Sequence, residues 1–335
     1  MCEVSQMTEK KESKLKKLFE LREMSMILII IVSCIILALA NEHFISWQNA
    51  MTVMASMAVN GIMTIGMILV MISGGLDLSI GSVMCLSMTI MSSLIKKGVA
   101  IIPAILIGLV VAACIGAVIG LLVTKLKLSH FIVTLCFLGI ARGAVYAITS
   151  GLAISLLTEL LRNPALKAVG AGYIAKKIPI CFIIFLVLGI LVDIFCRKSG
   201  AMRKVYYTGS NEMAAKHSGI KTDRVKIAMC VACSVFAGIA SIIYMSKYNG
   251  VTVGAGEGAE MTALSAAVIG GVSMNGGKGS ITGGLLGLFF IVLIQDALNL
   301  FSVQAFWQDL IRYLIVLLAV IIDVFQESAR QKKNS

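Results

Sequence analysis

Hydrophobic residues in this chain run in long blocks instead of alternating with polar ones. Ten apolar segments stand out, at 24–40, 50–72, 78–95, 99–123, 130–149, 178–195, 225–246, 261–273, 279–300 and 309–325. About twenty apolar residues suffice for a helix to cross the ~30 Å hydrocarbon core, and a helix satisfies all its backbone polar groups internally there. The pattern therefore predicts an all-α polytopic membrane protein of about ten transmembrane helices. Segments 78–95, which opens with a Gly/Asp turn, and 261–273, which is short for a crossing, also fit re-entrant elements. The expected organisation is an N-terminal cytoplasmic segment 1–23, a membrane domain 24–325 containing a long inside loop 196–224, and a cytoplasmic tail 326–335.

Composition agrees. Hydrophobic residues make up 59% and charged residues 14%, against about 45–50% and 25% in soluble domains. That excludes a soluble enzyme, a disordered tail and a secreted disulfide scaffold. The net charge of +12 could suggest nucleic acid until the cations are placed. With the N-terminus inside, inside segments hold 19 Lys and Arg and outside loops hold 7, the bias that sets membrane topology. The basic balance is topology, not nucleic-acid binding. The basic start, the apolar run from Met24 and Ala38-Leu39-Ala40 imitate a cleavable signal. The run also serves as a first span, and keeping it leaves both termini inside.

Nine cysteines are scattered through apolar spans or inside segments and read as buried or reduced thiols. Cys230 and Cys233 have zinc-like spacing but lie within a span with no second pair, so they read as packing and no metal is expected.

Two polar, glycine-rich islands interrupt the pattern. One is Ser73-Gly74-Gly75-Leu76-Asp77-Leu78-Ser79-Ile80-Gly81-Ser82, and the other runs from Gly270 to Gly284. Glycine in a helix interior costs about 1 kcal/mol relative to alanine, and a carboxylate near the bilayer centre about 2.5–3.5 kcal/mol. Such segments suit helix breaks that line a polar path or let helices pack closely. Gly74, Gly75, Asp77 and Ser79, with Gly276 and Gly277, are the candidates for a substrate pathway or gate. Gly74-Gly75 and Gly81 match Gly276-Gly277 and Gly283 at an offset of 276 − 74 = 202 residues, the kind of spacing duplicated transporter halves produce.

Asn275-Gly276-Gly277-Lys278-Gly279-Ser280 looks like a phosphate-binding loop but fails the pattern twice. Val272 stands in place of its first glycine, and Gly279 follows the lysine where Ser or Thr should hold magnesium. No intrinsic ATPase is expected. His43, His130 and His217 have no carboxylate partner near in sequence, and no catalytic constellation can be assembled. Arg142, Lys226 and Arg312 fall inside spans and read as snorkelling cations.

The inside loop contains Gly209-Ser210-Asn211-Glu212-Met213-Ala214-Ala215-Lys216-His217-Ser218-Gly219-Ile220. Ser210 or Asn211 can cap a helix, Glu212 and Lys216 form a favourable i,i+4 pair, and Gly219 supplies a left-handed stop. This predicts about two helical turns with a small-residue patch at Ala214 and Ala215. So short a helix is unstable alone, and must pack on its own membrane core or in a partner's groove.

Together these motifs resemble the permease subunit of bacterial sugar ABC importers, the ribose/xylose/arabinose/galactoside branch. GG-x-DLS-x-G is met by Gly74, Gly75, Asp77, Leu78, Ser79 and Gly81. G-x-N-x-x-AA-x-x-SGI is met by Gly209, Asn211, Ala214, Ala215, Ser218, Gly219 and Ile220. E-x-x-x-x-AA-V-I-GG…GG-x-GS is met by Glu260, Ala266 to Gly271, Gly276, Gly277, Gly279 and Ser280, and Thr134-Leu135 with Arg142-Gly143 meets a smaller element. The chain departs from the family pattern at Thr262 (commonly Asp), at Gln295-Asp296 (usually Asn-Gly) and across Arg203 to Tyr207, which leaves the sugar open.

The resemblance implies a bacterial plasma-membrane protein that translocates a ribose-like pentose or related sugar, as a homodimer or with a sister permease. It implies no cofactor in this chain. ATP and magnesium would sit on a docked ABC ATPase, and an extracytoplasmic sugar-binding protein would deliver the substrate. Gly209, Asn211, Ala214, Ala215 and Gly219 are then the ATPase-coupling residues. The alternatives are an ABC permease for nucleosides or sugar derivatives, and an ion-coupled secondary transporter, for which Asp77 alone is a poor supply of coupling acids.

Overall fold

The computed structural model describes residues 22–334, with side chains between residues 24 and 321. The N-terminal segment up to residue 21, with Cys2 and the basic run from Lys10, lies outside the described residues. So do the side chains of the tail 326–335.

Every expected apolar segment is a helix. In chain order these are α1 (Arg22–Ala40), α2 (Trp47–Ile72), α3 (Ile80–Lys96), α4 (Ile101–Lys125), α5 (His130–Thr149), α6 (Leu157–Arg162), α7 (Pro164–Ala171), α8 (Ile180–Lys198), α9 (Gly200–Ser210), α10 (Glu212–His217), α11 (Thr222–Tyr248), α12 (Ala259–Ile269), α13 (Ile281–Leu300) and α14 (Ala305–Asn334). Among the described residues six are long and apolar enough to cross a membrane: α2, α4, α5, α8, α11 and α13. At 1.5 Å per residue the 17-residue α3 spans about 26 Å and the 11-residue α12 about 16 Å. The two segments that also fit re-entrant elements are thus the short ones, and α12 reaches only about half-way across the core.

α2 is the centre of the bundle. It is apolar on all sides, so it is buried on all sides, with nearly every residue from Val53 to Ile72 inside. α8, α11, α12 and α13 surround it. α11 is the second hub, packed on α2, α3, α4 and α7. Lipid tails are as apolar as leucine, so membrane helices associate by close contact at small residues. On α4, Gly108, Ala112, Gly116 and Gly120 recur every four residues and are all buried. A methyl on Gly116 would lie 2.7 Å from Ser234 Oγ, and one on Gly120 would lie 2.7 Å from Ile227 Cα, both on α11. The other face of α4 exposes Leu106, Val110 and Leu121, as α1, α5 and α8 also expose large apolar side chains, which suits a lipid environment.

The segment between α5 and α8 is more structured than its sequence suggested. α6 and α7 lie across the bundle end, and Gly170 of α7 rides on the backbone of α11 at Ile243 and Lys247. Short strands tie this region down. β1 (Ile154–Ser155) pairs antiparallel with β4 (Gly250–Val251), and β2 (Tyr173–Ile174) with β3 (Ile178–Pro179).

Both glycine islands lie at one end of the bundle, with α9 and α10. Each stops a helix with the same cap. Gly75 N–H donates to Val70 O (3.1 Å) with Gly74 at φ +87°, and Val272 N–H donates to Ala267 O (2.9 Å) with Gly271 at φ +94°. The cap also closes α3, where Gly98 has φ +87° and Val99 N–H reaches Leu94 O. The likeness of the islands is therefore at least a likeness of helix stops.

Candidate functional site

α10 forms where its sequence predicts. Asn211 is the N-cap, its Oδ1 accepting from Ala214 N–H (3.0 Å), and Gly219 at φ +79° ends the turn as Ile220 N–H donates to Ala215 O (3.0 Å). The small-residue patch divides: Ala215 is 4% exposed and faces the bundle, while Ala214 points outward beside Met213, which is 67% exposed. Glu212 holds the helix down. Its carboxylate accepts from Lys226 Nζ of α11 (2.5 Å) and Thr222 Oγ1 (3.3 Å), and pairs with Lys216 (2.7 Å). Partial burial pushes the Glu212 carboxyl up, but hydrogen bonds from Lys216 and Lys226 and their charges outweigh this and bring it to about 2. Lys226 does not snorkel, because its head group finds a carboxylate on the element packed beside it. The sequence shows Glu212 and Lys216 one turn apart, but gives no sign that Lys226 folds back onto them.

α9 forms within the expected inside loop 196–224 and carries α10. Met202, Val205 and Thr208 bury one side of it, and Tyr206 Oη donates to Gly279 O (3.0 Å) in the second island. Its C-terminal Gly209 meets both islands at once. A methyl there would overlap the carbonyl of Ile72 at the end of α2 and come within 2.6 Å of Gly277 N. Gly277 N–H donates to Ile72 O (2.9 Å). Gly276, at φ +86°, leaves room for Gly74, whose Cα would lie 2.7 Å from an added methyl. Three of the six expected pathway-or-gate residues, Gly74, Gly276 and Gly277, thus meet the expected coupling segment at this junction.

Gly75 and Asp77 are placed differently. Gly75 lies under the His130 ring, which a methyl would approach at 2.7 Å. Asp77 is 1% exposed, and its Oδ1 accepts from Ser79 N–H (2.9 Å) and Ser79 Oγ (2.6 Å), shaping the turn into α3. Its other oxygen is sealed from solvent beside Cys233. Asp77 and Ser79 are turn-forming residues of the first break. A cleft of about 850 Å³ opens at this end, walled by Gly74, Gly75, His130, Glu212, Lys216 and Lys226 among others.

The third motif runs from the second island along the short α12. Gly270 and Gly287 bring α12 and α13 into backbone contact, since a methyl on either would overlap a carbonyl of the facing helix (Gly283, Ala266). Its first residue, Glu260, is 9% exposed and lies against Gly81, where a methyl would come within 2.9 Å of its carboxylate. Arg142 donates through Nη1 to Val253 O (2.5 Å) and Ala255 O (3.0 Å) of the loop before Glu260. It too is a structural tie, holding the 252–258 loop. Two of the departures from the family pattern, Thr262 and Gln295, meet in one crevice between α12 and α13.

Comparison with known proteins agrees with this architecture. Residues 49–320 match the family of branched-chain amino acid transport system permease components. The chain is 32% identical to the ribose import permease RbsC of Bacillus subtilis over 289 residues, 86% of this chain and 88% of that one. It is 31% identical to Escherichia coli RbsC over 307 residues, 90% of this chain and 94% of the relative. It is 30% identical to the autoinducer 2 import permease LsrC of Photorhabdus luminescens over 302 residues, 90% and 89% of the two chains. No solved structure matches. The chain belongs to this permease family, and is a multi-pass membrane protein of the ABC-importer class.

Proposed function

We propose that the protein is the translocating subunit of an ATP-driven importer that carries a monosaccharide, a ribose-like pentose or related sugar, across the bacterial plasma membrane. The end bearing α9, α10 and both islands is the cytoplasmic face, with both termini on that side. Two copies, or one copy with a sister permease, form the pathway. An ABC ATPase holding ATP and magnesium docks on α10, and an extracytoplasmic sugar-binding protein delivers the substrate at the opposite face. The carrying observation is the junction at Gly209, where α9, which carries the helix offered to the ATPase, is in backbone contact with the break after α2 and the break before α13. A push on α10 reaches both breaks without passing through a flexible side chain. Ligand affinity alone cannot drive the cycle; the work enters through this contact. Gly74, Gly75, Gly276 and Gly277 act as the inner gate that the push displaces, with Asp77 and Ser79 fixing the turn behind it.

The autoinducer 2 relative supports a second reading, in which the same machinery carries a sugar derivative. The test of coupling is substitution of Ala214 or Gly219 by a bulky residue. Uptake should be lost while membrane insertion persists, and undiminished uptake would sink the assignment of α10. Partner identity is tested by mild-detergent pull-down with mass spectrometry: an ATPase with a true phosphate-binding loop should co-purify. A protein that comes out alone and transports in vesicles without ATP would instead be an ion-coupled carrier.

A further inference from the structure

A groove of about 410 Å³ runs between α8 and α13, floored by Met57 of α2, within the ~300–1,000 Å³ range of ligand clefts. Its apolar walls are Phe182, Phe185, Leu186 and Ile190 of α8 and Leu285 and Phe289 of α13. Leu186 and Ile190 are exposed, so the groove opens on the surface of the bundle. Wall positions recur every three or four residues on both helices, which commits one face of each to the groove. Gly189 keeps it open, since even a methyl there would stand 3.1 Å from Leu285 Cδ1. From Phe182 to Ile194 the groove follows 194 − 182 = 12 residues of α8, about 18 Å at 1.5 Å per residue. That is roughly one leaflet of a ~30 Å hydrocarbon core.

One end of the groove is polar. Asp193 accepts from Thr282 Oγ1 (3.0 Å) and from Arg197 Nε (2.6 Å), and Arg197 Nη2 also donates to Thr282 Oγ1 (3.1 Å). This is the end of α8 that leads through Ser199 into α9. Arg197 answers Asp193, and Lys198, Arg203 and Lys204 add three exposed cations within the next seven residues. No acid stands between Asp193 and Glu212 to balance them. A sugar path needs hydrogen-bonding walls along its length, and this groove has them at one end alone. An acyl chain needs apolar walls only, and a basic mouth attracts a phosphate. Basic pockets between helices on the cytoplasmic side are suited to anionic head groups.

We propose that this groove seats the acyl chain of an anionic phospholipid from the cytoplasmic leaflet, with its phosphate drawn to the cations between Arg197 and Lys204. The choice of leaflet rests on the cytoplasmic placement of α9 proposed above. Because a single residue joins α8 to α9, a lipid held here braces the corner from which α9 reaches the Gly209 junction.

The test uses the full chain in mild detergent with equimolar phosphatidylglycerol and phosphatidylcholine, bound lipid being counted by native mass spectrometry. Wild type should retain phosphatidylglycerol about tenfold over phosphatidylcholine. Ile190→Trp, which fills the groove from its rim, should lower retention by about fivefold or more. Lys198→Gln/Arg203→Gln/Lys204→Gln should bring the preference within about twofold of unity. Wild type without a preference, or retention that Ile190→Trp leaves unchanged, overturns the proposal. So does an Ile190→Trp variant that turns a dimer into a monomer with its lipid retained, since the groove is then a contact between copies. If the variants fail to fold, wild type is irradiated with phosphatidylglycerol carrying a photoreactive acyl chain. Cross-links on α8 and α13 support the site, and cross-links confined to other helices overturn it. Labelling of Lys198→Cys above the wild-type background by an impermeant thiol reagent outside intact cells would overturn the orientation and the leaflet with it. Lipid results that fail while Lys198→Cys stays protected remove the site alone.

Discussion

At the end that carries α9 and α10, three distant parts of the chain meet backbone to backbone. Gly209 lies on the Ile72 carbonyl and the Gly277 amide, and Gly276 on Gly74, with no side chain between them. Away from that end, long side chains add to the backbone contacts. Arg142 reaches from α5 to two carbonyls of the 252–258 loop, Asn49 Nδ2 donates to Asp296 (2.7 Å), and Lys96 pairs with Glu159 (3.2 Å), beside glycine contacts such as Gly81 on the Gly256 carbonyl. Glycine contacts have almost no slack, so displacing one partner displaces the other. Side-chain ties can swing on their rotamers. The end with α9 and α10 is built to transmit a displacement, whereas the side-chain ties elsewhere leave more play.

Substitutions can break this contrast. The largest effect is expected from Gly209→Val, whose side chain has nowhere to go between Ile72 and Gly277. Uptake should fall by about a hundredfold or more, as for overpacking that costs about 3 kcal/mol, when vesicles are loaded with equal amounts of transporter. Arg142→Ala comes next. It leaves two part-buried carbonyls without their charged donor, a loss of about 1.5–3 kcal/mol, read as a lower unfolding temperature in detergent. Uptake should fall in proportion to the folded protein only. Asn211→Ala removes the cap of α10 and should cost about 1 kcal/mol, seen as faster proteolysis of the 199–221 segment with the rest of the chain protected.

The smallest effect is a pH dependence. Glu212 is held at about 2 in the folded chain against 4.5 for a free glutamate. Its ionised form is therefore bound more tightly in the fold, and the stability it adds is fully present above pH 4.5 and lost as pH falls towards 2. The docking of α10, followed by hydrogen–deuterium exchange of its backbone amides, should weaken over that window. In Glu212→Gln the acid dependence should vanish.

The same contrast explains what could be read from the sequence. Long apolar blocks located the helices, because span length follows from bilayer thickness, and even the short α3 and α12 were marked by the glycine and aspartate beside them. Asn211 and Gly219 were legible because helix caps are local. The glycines of both islands were visible as anomalies, but their mutual contact was not, since nothing local says that residues 74, 209 and 276 share a point. Arg142 and Lys226 were misread for the same reason. A cation inside an apolar segment looks like a snorkelling one until the fold brings a loop carbonyl or Glu212 to it. α6 and α7 were missed because short helices that depend on packing against α11 carry little periodicity of their own.

The most direct test is the ratio of sugar imported to ATP hydrolysed in proteoliposomes holding the complete importer, comparing wild type with Gly276→Ala. That methyl would lie 2.7 Å from Gly74 Cα at a residue with φ +86°, and so disturbs the junction while leaving α10 itself untouched. If the junction transmits the stroke, hydrolysis should continue while sugar moved per ATP falls by about tenfold, equivalent to about 1.4 kcal/mol of lost coupling. An unchanged ratio, with the variant assembled and hydrolysing normally, would contradict it.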